Sequence, residues 1–260
     1  MEAFKLTRKE MTTLLLSLLG EYQLSPVATL KEAWMKRHPH LTEEEAATIF
    51  MSTQLPPIFE NLIKGGNKTR TTLSLNEIVA LGDQIEHTTF SLTAVQNWVK
   101  RDAKDIIGPP EHGKKYSLNQ AATLFIVDDL KTVLDFTTIR QLLRMIFNNP
   151  ETEEDELIQP LALYSAYASI FEDLDPDGDQ MIEAEDVDPT LAKIKKDKTL
   201  EAVIEKRATA FVDTHLSHLS SENKQIVRNI IVITTLTIQL SFLQSLARRY
   251  TNATLFLLNK

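Results

Sequence analysis

Cysteine does not occur in this chain of 260 residues. That excludes disulfides, thiolate metal ligands and a cysteine nucleophile, and it accords with a reducing, cytoplasmic setting. Glycine is scarce, at seven residues, and none of them builds a phosphate-cradling loop or a dinucleotide fingerprint. Gly-x-Ser-x-Gly elbows and His-Glu-x-x-His helices are also missing, so the chain is read as a non-enzyme with no required cofactor. Alternating β-type patterns are few, while Leu-, Ile- and Ala-rich runs are long. These two facts predict a mostly α, multi-helical chain. The early apolar run Met11 to Leu19 is interrupted by Thr12, Thr13 and Ser17 and has no small-residue cleavage site after it. It reads as a buried helix rather than a signal peptide.

What is present has an order. The first fifty residues predict three short helices. Ser25-Pro26 opens the second, Thr42 with Glu45 forms a capping box for the third, and Trp34, Met35 and Ile49 are expected to pack between them. His38-Pro39-His40 has no third ligand nearby and reads as a loop. Gly65-Gly66-Asn67-Lys68 then breaks the chain, which sets a helical segment, 1–66, apart from the remaining residues.

From 67 to 150 the parts fall into a sequence of their own. Ser74 with Glu77 caps a helix carrying Ile78, Val79, Leu81 and Ile85, and Gly82, His87 and Thr88-Thr89 interrupt it. Ser91 starts a second helix running to about Arg101. Its Leu92, Val95 and Val99 are expected inward, its Thr93, Gln96, Asn97, Lys100 and Arg101 outward, and Trp98 between the two faces. The outward set suits a major groove, because Asn and Gln pair bidentately with adenine while Lys and Arg reach guanine edges or phosphates. Pro109 and Pro110 forbid a helix over 107–116, so a strand, turn and strand is the most that segment allows, with His112, Gly113, Lys114 and Lys115 as a basic tip. Ser117 with Gln120 caps a third helix, reaching Val133 and Leu134, and Thr137 or Thr138 opens a fourth.

This order resembles the DNA-binding domain of the MerR-type regulators, a winged helix-turn-helix. Val95-Gln-Asn-Trp-Val-Lys-Arg101 stands where that family has its recognition helix, and Gly108-Pro-Pro-Glu-His-Gly-Lys-Lys-Tyr116 stands where it has its wing, closed by Tyr116. The recognition helices of the family usually offer an Arg-Tyr-Tyr-like run. Here Gln96, Asn97 and Trp98 occupy it, and phosphate anchoring by the helix rests on Lys100 and Arg101. The chain also looks like a bacterial family of unknown function carrying a MerR-like reader, through Leu55-Pro-Pro-Ile-Phe-Glu60 and Val95-Gln-Asn-Trp-Val99. The resemblance implies a DNA-binding transcription regulator, duplex DNA as partner, and a homodimer formed through a helix after the reader. The DNA-contacting residues would be Thr93, Gln96, Asn97, Lys100, Arg101, His112, Lys114, Lys115 and Tyr116. A second reading stays open. Residues 70–116 carry six Lys or Arg against six Asp or Glu, so a strongly basic footprint is missing. The winged segment would then be scaffold in a protein-interaction or calcium-responsive module.

The calcium alternative comes from the acidic segment, 151–189. Between Glu151 and Asp188 stand fourteen Asp or Glu and no Lys or Arg. Within it, Asp175, Asp177, Asp179, Met181 and Asp186 fall at EF-hand ligand positions. Gln180 stands where the loop needs glycine and Asp186 where it prefers glutamate, so weak Ca2+ binding at most is expected. In the final segment, 190–260, Leu200 to Leu216 is amphipathic, and the run Ile230 to Ala247 is free of charge. Thr234, Thr235, Thr237, Gln239, Ser241, Gln244 and Ser245 lay a polar stripe along that run. The stripe suits a protein core or a dimer interface better than lipid, and no membrane is expected.

Overall fold

Four described helices start with Ser or Thr followed three residues later by Glu or Gln. Thr7 with Glu10 opens α1 (Arg8–Leu19). Ser25, followed by Pro26 at the first helical position, opens α2 (Pro26–Lys36), and Thr42 with Glu45 opens α3 (Glu43–Ser52). In each full box the hydroxyl accepts from an orphan amide and the acidic side chain accepts from the cap's own amide. After α4 (Pro57–Lys64), the motif recurs in a strand–cap–helix repeat. β1 (Thr72–Ser74) ends on Ser74, which caps α5 (Leu75–Gly82). β2 (Lys115–Ser117) ends on Ser117, which caps α8 (Leu118–Leu130). Between them come α6 (Leu92–Asn97), a π-helical turn (Trp98–Asp102) and α7 (Lys104–Ile107). The chain closes with α9 (Phe136–Phe147), α10 (Pro160–Glu172), α11 (Leu200–His215) and α12 (Ser221–Leu258). The structure, a computed structural model, describes residues 4–64, 69–111, 113–147, 156–174 and 199–258. Among these the fold is mostly helical, with two short strands forming one antiparallel pair.

A helix apolar on all sides must be buried on all sides. α8 meets that rule, with twelve of its thirteen residues buried, and α10 packs against α1, α8, α11 and α12. One apolar core results. It runs from Leu6 and Met11 through Ile78, Phe125 and Tyr164 to Ile231 and Ile238. The stretches 1–66, 67–150 and 190–260, separable by composition, thus share a single interior. The N-terminus is stitched to the middle by backbone as well: Leu6 N–H donates to Gln84 O (2.8 Å) and Glu86 N–H donates to Leu6 O (2.9 Å).

Asp129 on α8 receives Arg8 from α1 at 2.6 Å and the Tyr167 hydroxyl from α10 at 2.8 Å, all three being buried. Burial disfavours the charged guanidinium, but the carboxylate outweighs it and raises the Arg8 pKa. This buried trio joins α1, α8 and α10 across the core.

Several expectations need correction. Ile49 and Val133 lie on the surface rather than in the core. Val133 is outside because α8 stops at Leu130. α9 begins at Phe136, where the Asp135 carboxylate accepts from the Thr137 and Thr138 amides, so neither threonine is the cap. The polar stripe of the last helix needs no correction: it faces the protein core, one of the two places expected for it, with Thr234, Thr235, Thr237 and Ser241 buried. That helix, at 38 residues, is long and apolar enough to cross a membrane by length and composition.

Candidate nucleic-acid interface

α5 and α6 are joined by a turn whose shape several residues impose. Gly82 ends α5 where an added Cβ would lie 2.6 Å from the Phe90 ring, so glycine serves here for close approach rather than for looseness. His87 takes the left-handed conformation at φ 60, which reverses the chain. Thr88 Oγ1 donates to Gly82 O and Ile85 O. Phe90 then seats edge-on against Trp98 and Phe125, with centroids 5.8 and 5.5 Å away. Ser91 accepts from the Ala94 amide and starts α6, as its hydroxyl predicts.

The inward face of the second helix differs from the expected one. Val95 and Trp98, spaced i and i+3, are the buried pair, with Trp98 only 3% exposed. Trp98 therefore belongs to the core and not to the boundary between faces. Leu92 is 38% exposed. It borders a shallow groove with Asn76, Val79, Ala80, Asp83 and Phe90, because Phe90 has taken the inward place beside it. α6 also does not run on to Arg101 as an α-helix. Ala103 N–H bonds to Trp98 O at 3.0 Å, closing a π turn over 98–102 that presents Lys100 and Arg101.

Thr93, Asn97, Lys100 and Arg101 are exposed and Gln96 is half-buried. Arg101 pairs with its neighbour Asp102 at 2.7 Å, and its side chain is 75% exposed. So exposed a pair is screened by solvent and is readily exchanged for a stronger anion. Thr93, Gln96, Asn97, Lys100, Lys114 and Lys115 have no side-chain hydrogen bond or ion pair among the described residues. Beneath the turn, Lys131 places its ammonium 4.9 Å from the Trp98 ring centroid.

The segment expected as a β-hairpin wing is something else. α7 occupies Lys104–Ile107, Gly108 leaves it at φ 72, and Gln120 Nε2 donates to Ile107 O (2.8 Å) and Pro109 O (2.7 Å). Two prolines deprive 109–110 of ladder donors. β2 therefore pairs with β1, in the register Thr72 with Ser117, Leu73 with Tyr116 and Ser74 with Lys115. Lys114 and Lys115 are exposed at the end of this loop, and Gly113 has φ 67. Tyr116, expected among the DNA contacts, is 8% exposed opposite the buried Leu73, so it closes the loop from the core side. Sequence reasoning missed two further cations here. Lys104 on α7 is exposed, and Arg144 on α9 reaches Asp105 across the surface. Their proximity needs the α7–α9 packing, which no local pattern announces.

His112 lies outside the described residues, as do Asp175, Asp177, Asp179, Met181 and Asp186 of the EF-hand-like loop. Among the described residues no group of three metal-capable side chains comes together.

A family model described as Domain of unknown function (DUF1836) matches residues 67–167. The match begins just before β1 and ends at Tyr167, the residue that donates to Asp129. The chain is 35% identical over 251 residues to the "Uncharacterized protein YkrK" of Bacillus subtilis (strain 168), covering 96% of this chain and 98% of that protein. No solved structure matches.

Proposed function

We propose, for a chain that belongs to the YkrK family and carries the DUF1836 domain, a cytoplasmic reader of duplex DNA that regulates transcription as a homodimer. In this reading α5, its turn and α6 form a MerR-like helix-turn-helix, and the 108–115 loop is a wing with one strand supplied by β1. α6 with its π turn lies in the major groove. Gln96 and Asn97 address adenine edges, Lys100 and Arg101 address guanine edges or phosphates, and Thr93 touches the backbone or a thymine methyl. Lys114 and Lys115 hold phosphates beside it. The protein acts by binding and carries out no chemistry.

The observation that supports this most is the idle polarity of α6 and its π turn. A helix clamped from below by Val95 and Trp98 turns outward Thr93, Gln96, Asn97 and Lys100, which no side-chain hydrogen bond or ion pair among the described residues engages, and Arg101, held only by its exposed neighbour pair with Asp102.

Filter binding to random-sequence duplex from 50 to 300 mM salt tests the proposal. The wild-type chain should lose affinity linearly on a log–log scale. Changing Lys100, Arg101, Lys114 and Lys115 together to Ala should flatten the slope by about 3 to 4, near 0.9 per phosphate contact removed. Circular dichroism should show the variant as helical and as cooperative in melting as the wild type, since all four side chains are exposed. An unchanged slope in a folded variant would refute the assignment.

A further inference from the structure

The two sides of α12 face different surroundings. Its inner side carries Val227, Ile230, Ile231 and Ile238, buried together with the hydroxyls of Thr234 and Ser241. The inner contact ends with Phe242, set edge-on to His87 and Phe171, and with Ser245, whose hydroxyl lies 2.8 Å from His87 Nδ1. The outer side is apolar as well. Leu236, Leu240, Leu243, Tyr250, Leu257 and Leu258 are 38 to 75% exposed. The hydroxyl stripe that argued against lipid thus faces the interior, and the side turned to the surroundings is a different one. Beyond Leu246 every described residue is exposed up to Leu258, a stretch of about 18 Å at 1.5 Å per residue. A helix of that length on its own is marginal in water.

At about 100° per residue this end of the helix divides into two arcs. Leu243, Leu246, Ala247, Tyr250, Leu257 and Leu258 lie on one, with Gln244 and Leu255 at one margin and Ala253 at the other. That arc covers about 200° of the circumference. Thr251 and Thr254 fall within it, and their hydroxyls donate to Ala247 O and Tyr250 O, both at 2.9 Å. Ser245, Arg248, Arg249 and Asn252 lie on the opposite arc, where Phe256 joins them. One helix packed on another covers only a narrow seam, two positions in seven. A fluid apolar layer covers the whole arc. The arginines stand at the two edges of the polar arc, Arg248 beside the Leu255 margin and Arg249 beside the Ala253 margin. A helix lying in the plane of a bilayer would hold one guanidinium on each flank at the depth of the headgroup phosphates. Neither arginine has an ion pair among the described residues, and Arg249 lies 6.0 Å from the centroid of the Tyr250 ring. From Asn223 to Lys260 the chain carries five Lys or Arg and no Asp or Glu, in a protein of net charge -8.

We propose that the exposed end of α12 lies flat in the headgroup region of an anionic phospholipid bilayer, with its apolar arc toward the acyl chains and Arg248 and Arg249 on lipid phosphates. The helix does not cross. Leu243 to Leu258 is about 24 Å long, short of a hydrocarbon core of about 30 Å, and Arg248, Arg249 and Asn252 would fall in its middle. The preceding part of α12 belongs to the protein core, with Ile230, Ile231 and Ile238 at most 2% exposed. Leu236 and Leu240 continue the apolar arc toward the body and bring it onto the same surface. Ser245 reaches His87 from the polar arc, so the turn between α5 and α6 lies on the side of α12 away from the lipid. The inference goes beyond the DNA reading and does not rest on it.

Flotation of the full chain with lipid vesicles provides the test. With phosphatidylglycerol and phosphatidylcholine in equal parts the wild type should rise with the vesicles, and with phosphatidylcholine alone most of it should stay at the bottom. Arg248→Gln with Arg249→Gln should weaken binding to the anionic vesicles about thirty-fold, near five-fold for each arginine lost. Leu257→Glu with Leu258→Glu should weaken it at least about a hundred-fold. Met51→Glu, at an exposed position of α3, should leave it unchanged. All these side chains are exposed, so each variant should melt as the wild type does by circular dichroism. Wild-type protein left at the bottom with anionic vesicles, or arginine and leucine variants that float as well as it does, would overturn the proposal. Sedimentation without lipid identifies the rival occupant: a mass that falls on changing Leu257 and Leu258, in a chain that does not float, would assign the arc to a protein partner. Because the chain has no cysteine, a polarity-sensitive dye on single introduced thiols reports the orientation. The dye at Tyr250→Cys should shift to the blue on adding anionic vesicles, and at Asn252→Cys it should remain in water. Equal shifts at both positions would overturn the flat arrangement. A chain that floats and binds no DNA would end the DNA reading and leave this one standing; one that binds DNA and stays at the bottom would do the reverse.

Discussion

Asp128 and Asp129 are adjacent on α8, both buried, and differently placed. Asp129 holds Arg8 and Tyr167. Removing it leaves the Arg8 guanidinium buried without its counter-charge, and Asp129→Ala should cost about 3 to 5 kcal/mol in urea unfolding. Asp128 is less well served. Burial pushes its carboxyl up to about 6, against the attraction of Lys131. The folded pKa is above the unfolded one, so between about pH 4 and pH 6 the folded protein holds the extra proton. The contribution of this group is fully present below the unfolded value and is lost as pH rises through about 6. Asp128→Asn should therefore raise stability at pH 7.5 by up to roughly 3 kcal/mol, with about half of that gain left at pH 5. Denaturant melts at the two pH values check this, and an equal effect at both would contradict the assignment. Neither aspartate stands out in the sequence, because Asp128-Asp129 in an apolar run looks like an ordinary exposed edge until three elements close over it.

At the scale of elements, the capping boxes were the most legible signals. Ser74 with Glu77, Ser117 with Gln120 and Thr42 with Glu45 mark helix starts that the structure keeps, because a cap depends on two residues three positions apart and on nothing distant. The π turn after Asn97, the pairing of β2 with β1, and the inward turn of Trp98 were not legible. The last two depend on partners elsewhere in the chain, Thr72–Ser74 for β2 and Phe90 and Phe136 around Trp98, while the π turn is a local bond from Ala103 N–H to Trp98 O that no residue pattern marks. The same dependence makes Gly82 a sensitive point for the proposed reader. Gly82→Ala would press a methyl into Phe90 and through it disturb the seat of Trp98. A loss of about 1 to 3 kcal/mol in stability is expected, together with weaker DNA binding, and a neutral substitution would show that Phe90 does not set the position of α6.

For the whole molecule, hydropathy indicated a helical protein but divided it by composition into segments that the core unites. The acidic stretch and the glycine run look like boundaries in the sequence, yet α1 reaches α10 and α12 reaches α8. The stripe on the last helix lies in a protein core, one of the two places expected for it, and the buried threonines are satisfied by their own backbone. Of the nine residues expected at the interface, six are exposed, Gln96 is half-buried, Tyr116 is turned inward and His112 lies outside the described residues.

Site-directed photocrosslinking tests the central claim most directly, again because the chain has no cysteine of its own. A thiol-linked photoreactive group at Thr93→Cys or Lys114→Cys should capture duplex DNA on irradiation, while the same group at Met51→Cys, exposed on α3, should capture little. Equal capture from all three positions, or none from residue 93, would contradict the assignment of α6 as the element that reads DNA.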